Sequence, residues 1–357
     1  MISERSKHHE EQEKMVTASS AQTTRRVVRR RNASLLQHKI IQVLSISFAL
    51  SVVYIALSKG ISSLSQPLQR QGHLRGRKVW VHSNSQLFNE RLVATQATHL
   101  IIVAGHSVLI SGQVENAAFD ESVWYLLDYQ RGKGLPNAIV SHIQAGIKLA
   151  LEDEKSLLVF SGGETRAQTG PDTEGASYFR VADALELWDG RDVFNENKSA
   201  SEAVQSTVRA RTITEEYATD SFENLMFSIC RFHDITGSYP EKISLVSFTF
   251  KQERFETLHA GALQWPLSRF NYVGVDPPAS TGFDLQQASD GERQNSLVPF
   301  QTDPYGCHTE VLQKKRRERN PFARKAPYEL TCPDMKKLLY WCGPSLIPQS
   351  KVPWTSG

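Results

Sequence analysis

Short apolar runs alternate with longer segments of helical periodicity through the middle of the chain. Apolar runs that end at glycine, proline or charged residues are typical of buried strands. The runs of strand character lie at 98–104, 157–160, 212–214, 243–250 and 270–275. The segments of helical character lie at 137–152, 173–188, 222–235 and 252–264, with Thr173 and Ser221 as predicted N-caps. Alternating strands and helices predict an α/β, Rossmann-like, three-layer fold with a parallel sheet and helices on both faces.

The first hundred residues have a different pattern. Residues 1–38 combine many charges with little apolar periodicity, which predicts a disordered basic cytosolic tail. The next segment, 40–58, has no charged residue and is about the length that a membrane-spanning helix requires. The predicted domain plan is a tail at 1–38, a transmembrane signal anchor at 39–59, a stem at 60–97, an α/β domain at 98–290, and a Cys-, Pro- and Arg/Lys-rich extension at 291–357 that packs on the domain.

The charges around the apolar segment predict its orientation. Five arginines lie within residues 25–31, so the positive-inside rule predicts a type II membrane protein with a lumenal C-terminal domain. A cleaved signal peptide is the alternative, because residues 56–58 include small residues, whereas acidic residues disfavour a mitochondrial transit peptide. The short span favours a Golgi or endoplasmic reticulum membrane. Asn197 begins a glycosylation sequon on the lumenal side.

Net charge and cysteine content indicate which partners, disulfides and metal sites to expect. A net charge of +3 over 357 residues gives no reason to expect nucleic acid. Cys230 lies in an apolar helical pattern and is predicted to be a buried thiol. One disulfide is expected among Cys307, Cys332 and Cys342, since a lumenal compartment permits it. The cysteine spacing is not that of a zinc ribbon, so no metal site is predicted.

Polar residues and glycines follow each predicted strand. Because the carboxyl ends of parallel strands lie at one edge, we expect a ligand site there. The amides at 161–163 are expected to present N–H groups to an anion, with a tight turn that merely requires glycine as the alternative. Lys251 and Arg254 are expected to clamp a phosphate, with an exposed basic face as the alternative. The predicted ligand-binding residues are Gly105, His106, Ser161, Gly162, Gly163, Glu164, Ser221, Asn224, Lys251 and Arg254.

Acidic residues near helix starts are candidates for proton transfer. Glu174 and Glu223 are the predicted catalytic residues, with Glu215 as a further acidic candidate. The alternative is that the acidic residues in first turns only complement the helix dipole. Ser107 is not predicted to be a nucleophile, because the second glycine of a nucleophile elbow is missing. The basic run at 314–319 is predicted to be a solvated face, with polyanion binding or dibasic cleavage as alternatives.

The order of these loops resembles the bacterial YdcF/SanA/ElyC family, a domain of unknown function in envelope-associated proteins. It is most similar to the membrane-anchored fungal and plant branch. The resemblance rests on Gly105, the Ser-Gly-Gly at 161–163, Glu174, the segment 215–224 and Arg254. It covers roughly residues 98–278 and extends into the motifs DPYGC at 303–307 and RNPF at 319–322.

Two departures from the bacterial pattern affect the expected chemistry. Lys251 stands where a histidine is usual, and Gly105-His106 replaces a glycine pair. Histidine-dependent chemistry is therefore not carried over to this chain.

The resemblance implies a Rossmann-like fold and a link to envelope polysaccharide or lipid-carrier metabolism. It also implies S-adenosylmethionine or a nucleotide as candidate cofactors. With the loops above, it predicts a lumenal protein that binds or processes a phosphate-containing ligand: a nucleotide, a sugar nucleotide or a lipid-linked sugar. The alternative is a non-catalytic binding or scaffold protein that retains an ancestral crevice, and the sequence leaves open whether the chain is an enzyme.

Overall fold

The computed structural model describes residues 94–194, 207–343 and 345–355. The predicted tail and membrane anchor, nearly all of the stem, and the sequon at Asn197 lie outside these ranges. Within them, no helix combines the length and hydropathy needed to cross a membrane.

Five parallel strands form one sheet in the order β3-β2-β1-β4-β5. The central strand β1 pairs on both sides, with Leu100 opposite Leu157 and Ile243. The parallel α/β, Rossmann-like sheet predicted from the sequence is confirmed. The strands are β1 (His99–Ala104), β2 (Ser156–Ser161), β3 (Thr212–Glu215), β4 (Lys242–Ser247) and β5 (Phe270–Gly274).

The strand order creates a switch point between β1 and β4. After β1 the chain adds β2 and β3 on one side, and then crosses to place β4 and β5 on the other. The loops that follow β1 and β4 therefore lead away in opposite directions and leave a crevice at the carboxyl edge, which is where open α/β sheets bind ligands.

Helices cover both faces of the sheet, and π-helical turns interrupt two of the helical stretches. Arg254–His259 is π-helical and leads into α4, and Arg293–Leu297 joins α5 to α6. The predicted boundary at 290/291 thus lies inside a helical stretch. The helices are α1 (Leu135–Glu152), α2 (Glu174–Ala184), α3 (Ser221–Thr236), α4 (Ala260–Ala262), α5 (Leu285–Glu292), α6 (Val298–Thr302), α7 (Glu310–Glu318), α8 (Tyr328–Thr331) and α9 (Lys336–Leu339).

Each face of the sheet has its own core, because side chains alternate along a strand. Ile101 and Val103 pack with α1 and α2, whereas Leu100 and Ile102 pack with α3. The C-terminal extension belongs to the second core, to which it contributes fully buried side chains. Those side chains include Phe300, Leu312, Tyr328, Met335 and Leu338.

One disulfide fixes the extension. Cys307, in the turn before α7, is bonded to Cys342, after α9, across a sequence separation of 35. Cys230 and Cys332 are free and buried. The predictions of one bridge in the extension and of a buried Cys230 thiol are confirmed.

One of the two predicted helix caps is displaced by a residue. Thr173 caps α2 as predicted, since its hydroxyl accepts from Ala176 N at 3.0 Å. Helix α3 is capped by Asp220, whose Oδ1 accepts from Glu223 N at 2.9 Å. The prediction of Ser221 as N-cap is therefore wrong, and its hydroxyl is available for another bond.

Candidate functional site

A cavity of about 730 Å³ opens at the carboxyl edge of the sheet. Its walls are the loops after β1 and β4, residues within 129–135, Thr165 and Arg166 of the loop after β2, the start of α3, the helical stretch from α5 to α6, and α7 with Arg319. This volume is in the range of small-molecule sites. The predicted site residues that line it are Gly105, His106, Glu174, Ser221, Asn224, Lys251 and Arg254.

The glycine loop after β2 does not line the cavity. Gly162 N donates to the carbonyl of Glu215 at 3.0 Å, and Gly163 N donates to the carbonyl of Ala218 at 2.8 Å. Both amides are consumed within the fold, so the prediction that they would present N–H groups to an anion is wrong. Glycine is needed here for close packing, since a Cβ on Gly162 would lie 2.6 Å from Glu174 Oε2.

Ser161 and Glu215 form a buried hydrogen-bond cluster behind this loop. Ser161 Oγ donates to Glu215 Oε2 at 2.8 Å, and Tyr328 of the extension donates to Oε1 at 3.1 Å. Asn224 Nδ2 donates to Ser161 Oγ at 2.9 Å. Burial raises the pKa of Glu215 to about 7, against the opposing effect of these donors. The cluster stabilises the edge of the sheet; Asn224 also lines the cavity, whereas Ser161, Glu215 and Tyr328 do not.

Glu164 and Glu223 also lie outside the cavity lining. Glu164 forms an ion pair with Arg324 of the extension at 2.6 Å. Glu223 Oε2 accepts from Thr219 N at 2.8 Å and from its hydroxyl at 2.6 Å, and Oε1 lies 3.6 Å from Arg316 Nε. Burial raises the pKa of Glu223, and Arg316 opposes that shift. Glu223 is thus held by contacts within the fold, and its catalytic role stays a prediction.

Glu174 is the predicted acid–base residue that does line the cavity. Its Oε1 accepts from Thr165 Oγ1 at 2.7 Å, and its other oxygen packs against Gly105 and Gly162. A Cβ on Gly105 would also lie 2.6 Å from Glu174 Oε2. The glycines after β1 and β2 thus make room for this one carboxylate.

His106 and Lys251 meet at the switch point. His106 Nδ1 lies 3.4 Å from Lys251 Nζ, and the His106 ring packs on Phe248 with centroids 4.8 Å apart. Burial, and then the charge of Lys251, hold the pKa of His106 well below its ordinary value. Burial, and then Arg254, lower the pKa of Lys251 to about 7. At neutral pH His106 is uncharged, and Lys251 is the group that changes charge.

Arg254 forms a buried ion pair in the cavity wall. Its guanidinium lies 3.1 Å from Glu292 Oε1, and the two side chains are 6% and 8% exposed. Arg254 Nε has no hydrogen-bond partner in the part of the chain that the structure describes. A buried donor without a partner is costly, and a ligand oxygen would satisfy it.

Helix α7 of the extension supplies two more cations to the lining. Lys315 Nζ donates to Asn295 O at 2.8 Å and Ser296 Oγ at 3.0 Å, and Arg319 donates to Thr219 O at 3.3 Å. Burial, and then Arg319, lower the pKa of Lys315 to about 8.

The prediction that the basic run at 314–319 is a solvated face is wrong for one side of this helix. Lys314 and Arg317 are exposed, whereas Lys315 and Arg319 line the cavity. The sequence contained a signal for this inner face. Leu312, fully buried, lies three residues before Lys315 and seven before Arg319, which is the spacing of one helical face.

Three phenylalanines form an aromatic stack on the lining. The rings of Phe248 and Phe250 lie 5.1 Å apart, and Phe248 and Phe283 lie 5.8 Å apart with their planes at 7°. The predicted strand 243–250 already places Phe248 and Phe250 two residues apart on one face, but nothing in it predicts that Phe283, from beyond β5, joins them. Strand β4 ends at Ser247, and the 3-10 turn Thr249–Lys251 brings Phe250 beside Phe248.

Ser221 is held by a buried histidine. Ser221 Oγ and His259 Nε2 lie 2.8 Å apart, and His259 Nδ1 has no partner among the described residues. An orphaned buried N–H is rarer than an orphaned acceptor, so we assign the proton to Nε2. His259 then donates to Ser221, whose own hydrogen is free to point at a ligand. Burial, and then Arg254, hold the pKa of His259 well below its usual value.

The cavity therefore combines a cationic part with an aromatic part. It can hold an anionic group against Lys251, Arg254, Lys315 and Arg319, and a planar or apolar group against the phenylalanine stack. Glu174 is placed on the same lining for proton transfer. Across the described ranges, no three His, Cys, Asp or Glu side chains are grouped as metal ligands.

Comparison with known proteins identifies one relative and no solved fold. No family model matches the chain, and no solved structure matches it. The chain is 32% identical over 270 residues to the Saccharomyces cerevisiae protein described as "Uncharacterized protein YOR238W". The match covers 65% of this chain and 87% of the yeast protein. The chain belongs to the same family as that yeast protein.

Proposed function

We propose that this chain, as a member of the family it shares with the yeast protein, binds a phosphate-containing ligand in the cavity at the carboxyl edge. The observation that carries the proposal is the excess of cations on the lining, where Lys251, Arg254, Lys315 and Arg319 lie together with Lys133 and Arg166. Their mutual repulsion and partial burial destabilise the unliganded state. A phosphate relieves both effects, because its oxygens accept charge-assisted hydrogen bonds.

The aromatic stack supports a ligand with a second, less polar part. A nucleotide base or sugar ring would pack on Phe250 and Phe283, and the phosphate would face the cations. Nucleotides, sugar nucleotides and lipid-linked sugars each combine a phosphate-containing part with a less polar part. S-adenosylmethionine fits less well, because its sulfonium and ammonium groups would be repelled by the same cations.

We assign any proton transfer at this site to Glu174. It is the predicted acid–base carboxylate on the lining, and the neutral His106 lies on the same wall. The proposal is one of binding, and the Glu174→Gln variant tests separately whether the chain also catalyses a reaction. If the chain only binds its ligand, the affinity of Glu174→Gln is unchanged. If the chain is an enzyme, the affinity of this variant is unchanged but product no longer forms.

We also propose that the chain is a YdcF-like protein of the eukaryotic, membrane-anchored branch. The support is spatial, because several of the residues that carry the resemblance come from separate segments and line one cavity, although the Ser-Gly-Gly at 161–163 does not. The residues that line it are Gly105, Glu174, Ser221, Asn224 and Arg254.

The proposed setting is a type II protein of the Golgi or endoplasmic reticulum membrane with a lumenal C-terminal domain. The uncharged segment 40–58 and the arginines before it support this orientation, and the Cys307–Cys342 bridge suits an oxidising lumen. In sealed microsomes, protease should leave the C-terminus intact, and Asn197→Gln should abolish a glycan-dependent mobility shift. Digestion of the C-terminus in intact vesicles contradicts this topology.

The binding proposal is tested by titrating the full-length protein with inorganic phosphate and adenosine monophosphate in a calorimeter. Lys251→Ala should weaken binding by about tenfold, since it removes one charge-assisted contact. Arg317→Ala, on the outer side of α7, is the matched control and should bind like the wild type. The proposal fails if neither compound binds the wild type, or if Lys251→Ala binds as tightly as Arg317→Ala.

A further inference from the structure

We infer that the ligand carries two adjoining phosphates, and that α7 of the C-terminal extension supplies the subsite for the second one. The inference rests on the proposed function, because it specifies the ligand class of the same cavity. It identifies a diphosphate-linked compound, such as a nucleoside diphosphate or its sugar ester.

Charge balance on the lining supports two phosphates. Six lysines and arginines line the cavity with four carboxylates, and one of those carboxylates, Asp220, is neutralised by Arg316 at 2.7 Å from outside the lining. The excess is two to three formal positive charges, and it is smaller near neutral pH because the pKa of Lys251 is about 7 and that of Lys315 about 8. One phosphate monoester carries about 1.5 to 2 negative charges and matches only the lower end of the formal excess, whereas a diphosphate matches the upper end.

The distribution of donors also favours two groups. Lys251 and Arg254 follow β4, and Ser221 opens α3, so these three surround one position from the sheet side. Lys315 and Arg319 approach from α7, on a different element. A diphosphate presents its oxygens on two phosphorus centres, so one phosphate can face the β4 side while the other faces α7.

Five of the six lining cations have no ion-pair partner within the described ranges. Arg254 is paired with Glu292, whereas Lys251, Lys315 and Arg319 hydrogen-bond to neutral groups. Lys133 and Arg166 likewise hydrogen-bond to neutral groups. Lys315 and Arg319 lie at the C-terminal end of α7, so the extension supplies two of these five cations. A ligand with one phosphate near β4 would leave those two unmatched.

Helix α7 is also held firmly enough to form a subsite. Leu312 anchors it in the core, and Arg316 Nε donates to Asp220 Oδ2 at 2.7 Å. The Cys307–Cys342 bridge fixes the turn before it. These contacts hold Lys315 and Arg319 toward the cavity before any ligand arrives, which lowers the ordering cost of binding.

The test is calorimetric titration of the full-length protein with inorganic phosphate and with pyrophosphate. The wild type should bind pyrophosphate about tenfold or more tightly than phosphate, because the second phosphate gains charge-assisted hydrogen bonds. Lys315→Ala/Arg319→Ala should weaken pyrophosphate binding far more than phosphate binding, so that the ratio of affinities falls toward one. Lys314→Ala/Arg317→Ala changes the exposed side of the same helix and should keep the wild-type ratio.

The outcomes separate this inference from the proposed function. If phosphate binds but pyrophosphate binds no more tightly, or if the α7 variant keeps the wild-type ratio, the diphosphate inference is overturned and the proposed function stands. If neither anion binds, both are overturned. Lys315→Gln/Arg319→Gln, which keeps hydrogen-bonding capacity without charge, replaces the alanine variant if that variant does not fold, and should show the same fall in ratio.

Discussion

The loop at 161–164 and helix α7 reach the same edge of the sheet from distant parts of the chain. In the loop, the amides of Gly162 and Gly163 donate to backbone carbonyls, and Ser161 donates to Glu215. At the C-terminal end of α7, Lys315 and Arg319 donate to neutral groups and form no ion pair with any residue that the structure describes. The polar groups of the loop are hydrogen-bonded within the fold, whereas the cations of the helix keep a charge that a ligand can pair with.

The difference shows that polarity near a sheet edge is not sufficient for binding. A group can serve a ligand only if the fold leaves it without a full set of partners. Substitutions in the loop should therefore change stability, whereas substitutions of the cavity cations and of the inner side of α7 should change ligand binding.

The largest expected effect is the loss of stability in Arg254→Ala, which is compared with Arg317→Ala on the outer side of α7. Arg254→Ala leaves Glu292 buried without a partner, so the free energy of unfolding should fall by about 3–5 kcal/mol. Arg317→Ala breaks the exposed Arg317–Glu310 pair and should cost at most about 1 kcal/mol. Urea unfolding measures both, and Arg254→Ala/Glu292→Gln should recover part of the loss. Equal losses for the two single variants contradict the assignment of Arg254 to a buried pair.

The next effect concerns the anchoring of α7. Cys307→Ser/Cys342→Ser removes a bridge that closes a loop of 35 residues, and should lower the free energy of unfolding by about 2–4 kcal/mol. Because the bridge fixes the turn before α7, pyrophosphate affinity should fall with it, more than phosphate affinity. Cys230→Ala, at a free buried thiol, is the control that leaves the bridge in place. Unchanged pyrophosphate affinity in the bridge variant would show that the core contacts alone position the helix.

The glycine loop should respond to substitution as a packing element. Gly162→Ala places a Cβ 2.6 Å from Glu174 Oε2 and should lower the free energy of unfolding by about 1–3 kcal/mol. Gly112→Ala meets nothing within 4 Å and should change it little. Thermal and urea unfolding measure the pair. A Gly162→Ala protein as stable as wild type that no longer binds phosphate would restore the loop as an anion site.

The smallest effect is a pH dependence of anion binding. The pKa of Lys251 is lowered to about 7, so raising the pH from 6 to 9 removes its charge. Sulfate does not titrate in this range, and its affinity should fall by roughly tenfold as Lys251 deprotonates. The pKa of Lys315, about 8, adds to the same trend.

The lowered pKa of Lys251 also predicts how the stability of the protein changes with pH. A lysine whose pKa falls on folding disfavours the folded state most at low pH, where it is protonated in both states. The unliganded protein should therefore gain stability between pH 7 and the ordinary lysine range. Lys251→Arg, which stays charged, should reduce the pH dependence of sulfate affinity, and an unchanged profile contradicts the role of Lys251.

The sheet could be predicted from sequence because its signal is local. Each strand is a short apolar run ended by glycine or a polar residue, and the helices between the strands require parallel pairing. The position of the site then followed from topology, which is why Gly105, Glu174, Asn224 and Arg254 were placed at one edge.

The errors came where distant contacts decide a side chain's partners. The amides of Gly162 and Gly163 are consumed by carbonyls more than fifty residues later in the chain. Lys315 and Arg319 face inward because Arg316 pairs with Asp220 across 96 residues. Adjacent capping residues caused the Ser221 error, since aspartate and serine cap equally well and the sequence does not choose between Asp220 and Ser221.

The most direct test of the difference between the loop and α7 is the location of a bound tetrahedral anion. Crystals of the protein soaked in selenate give an anomalous signal that marks the anion unambiguously. We predict a peak in the cavity within hydrogen-bond distance of Lys251, Lys315 or Arg319, which is lost in Lys315→Ala/Arg319→Ala if α7 provides the site. A peak at the amides of Gly162 and Gly163, with none at α7, contradicts the account.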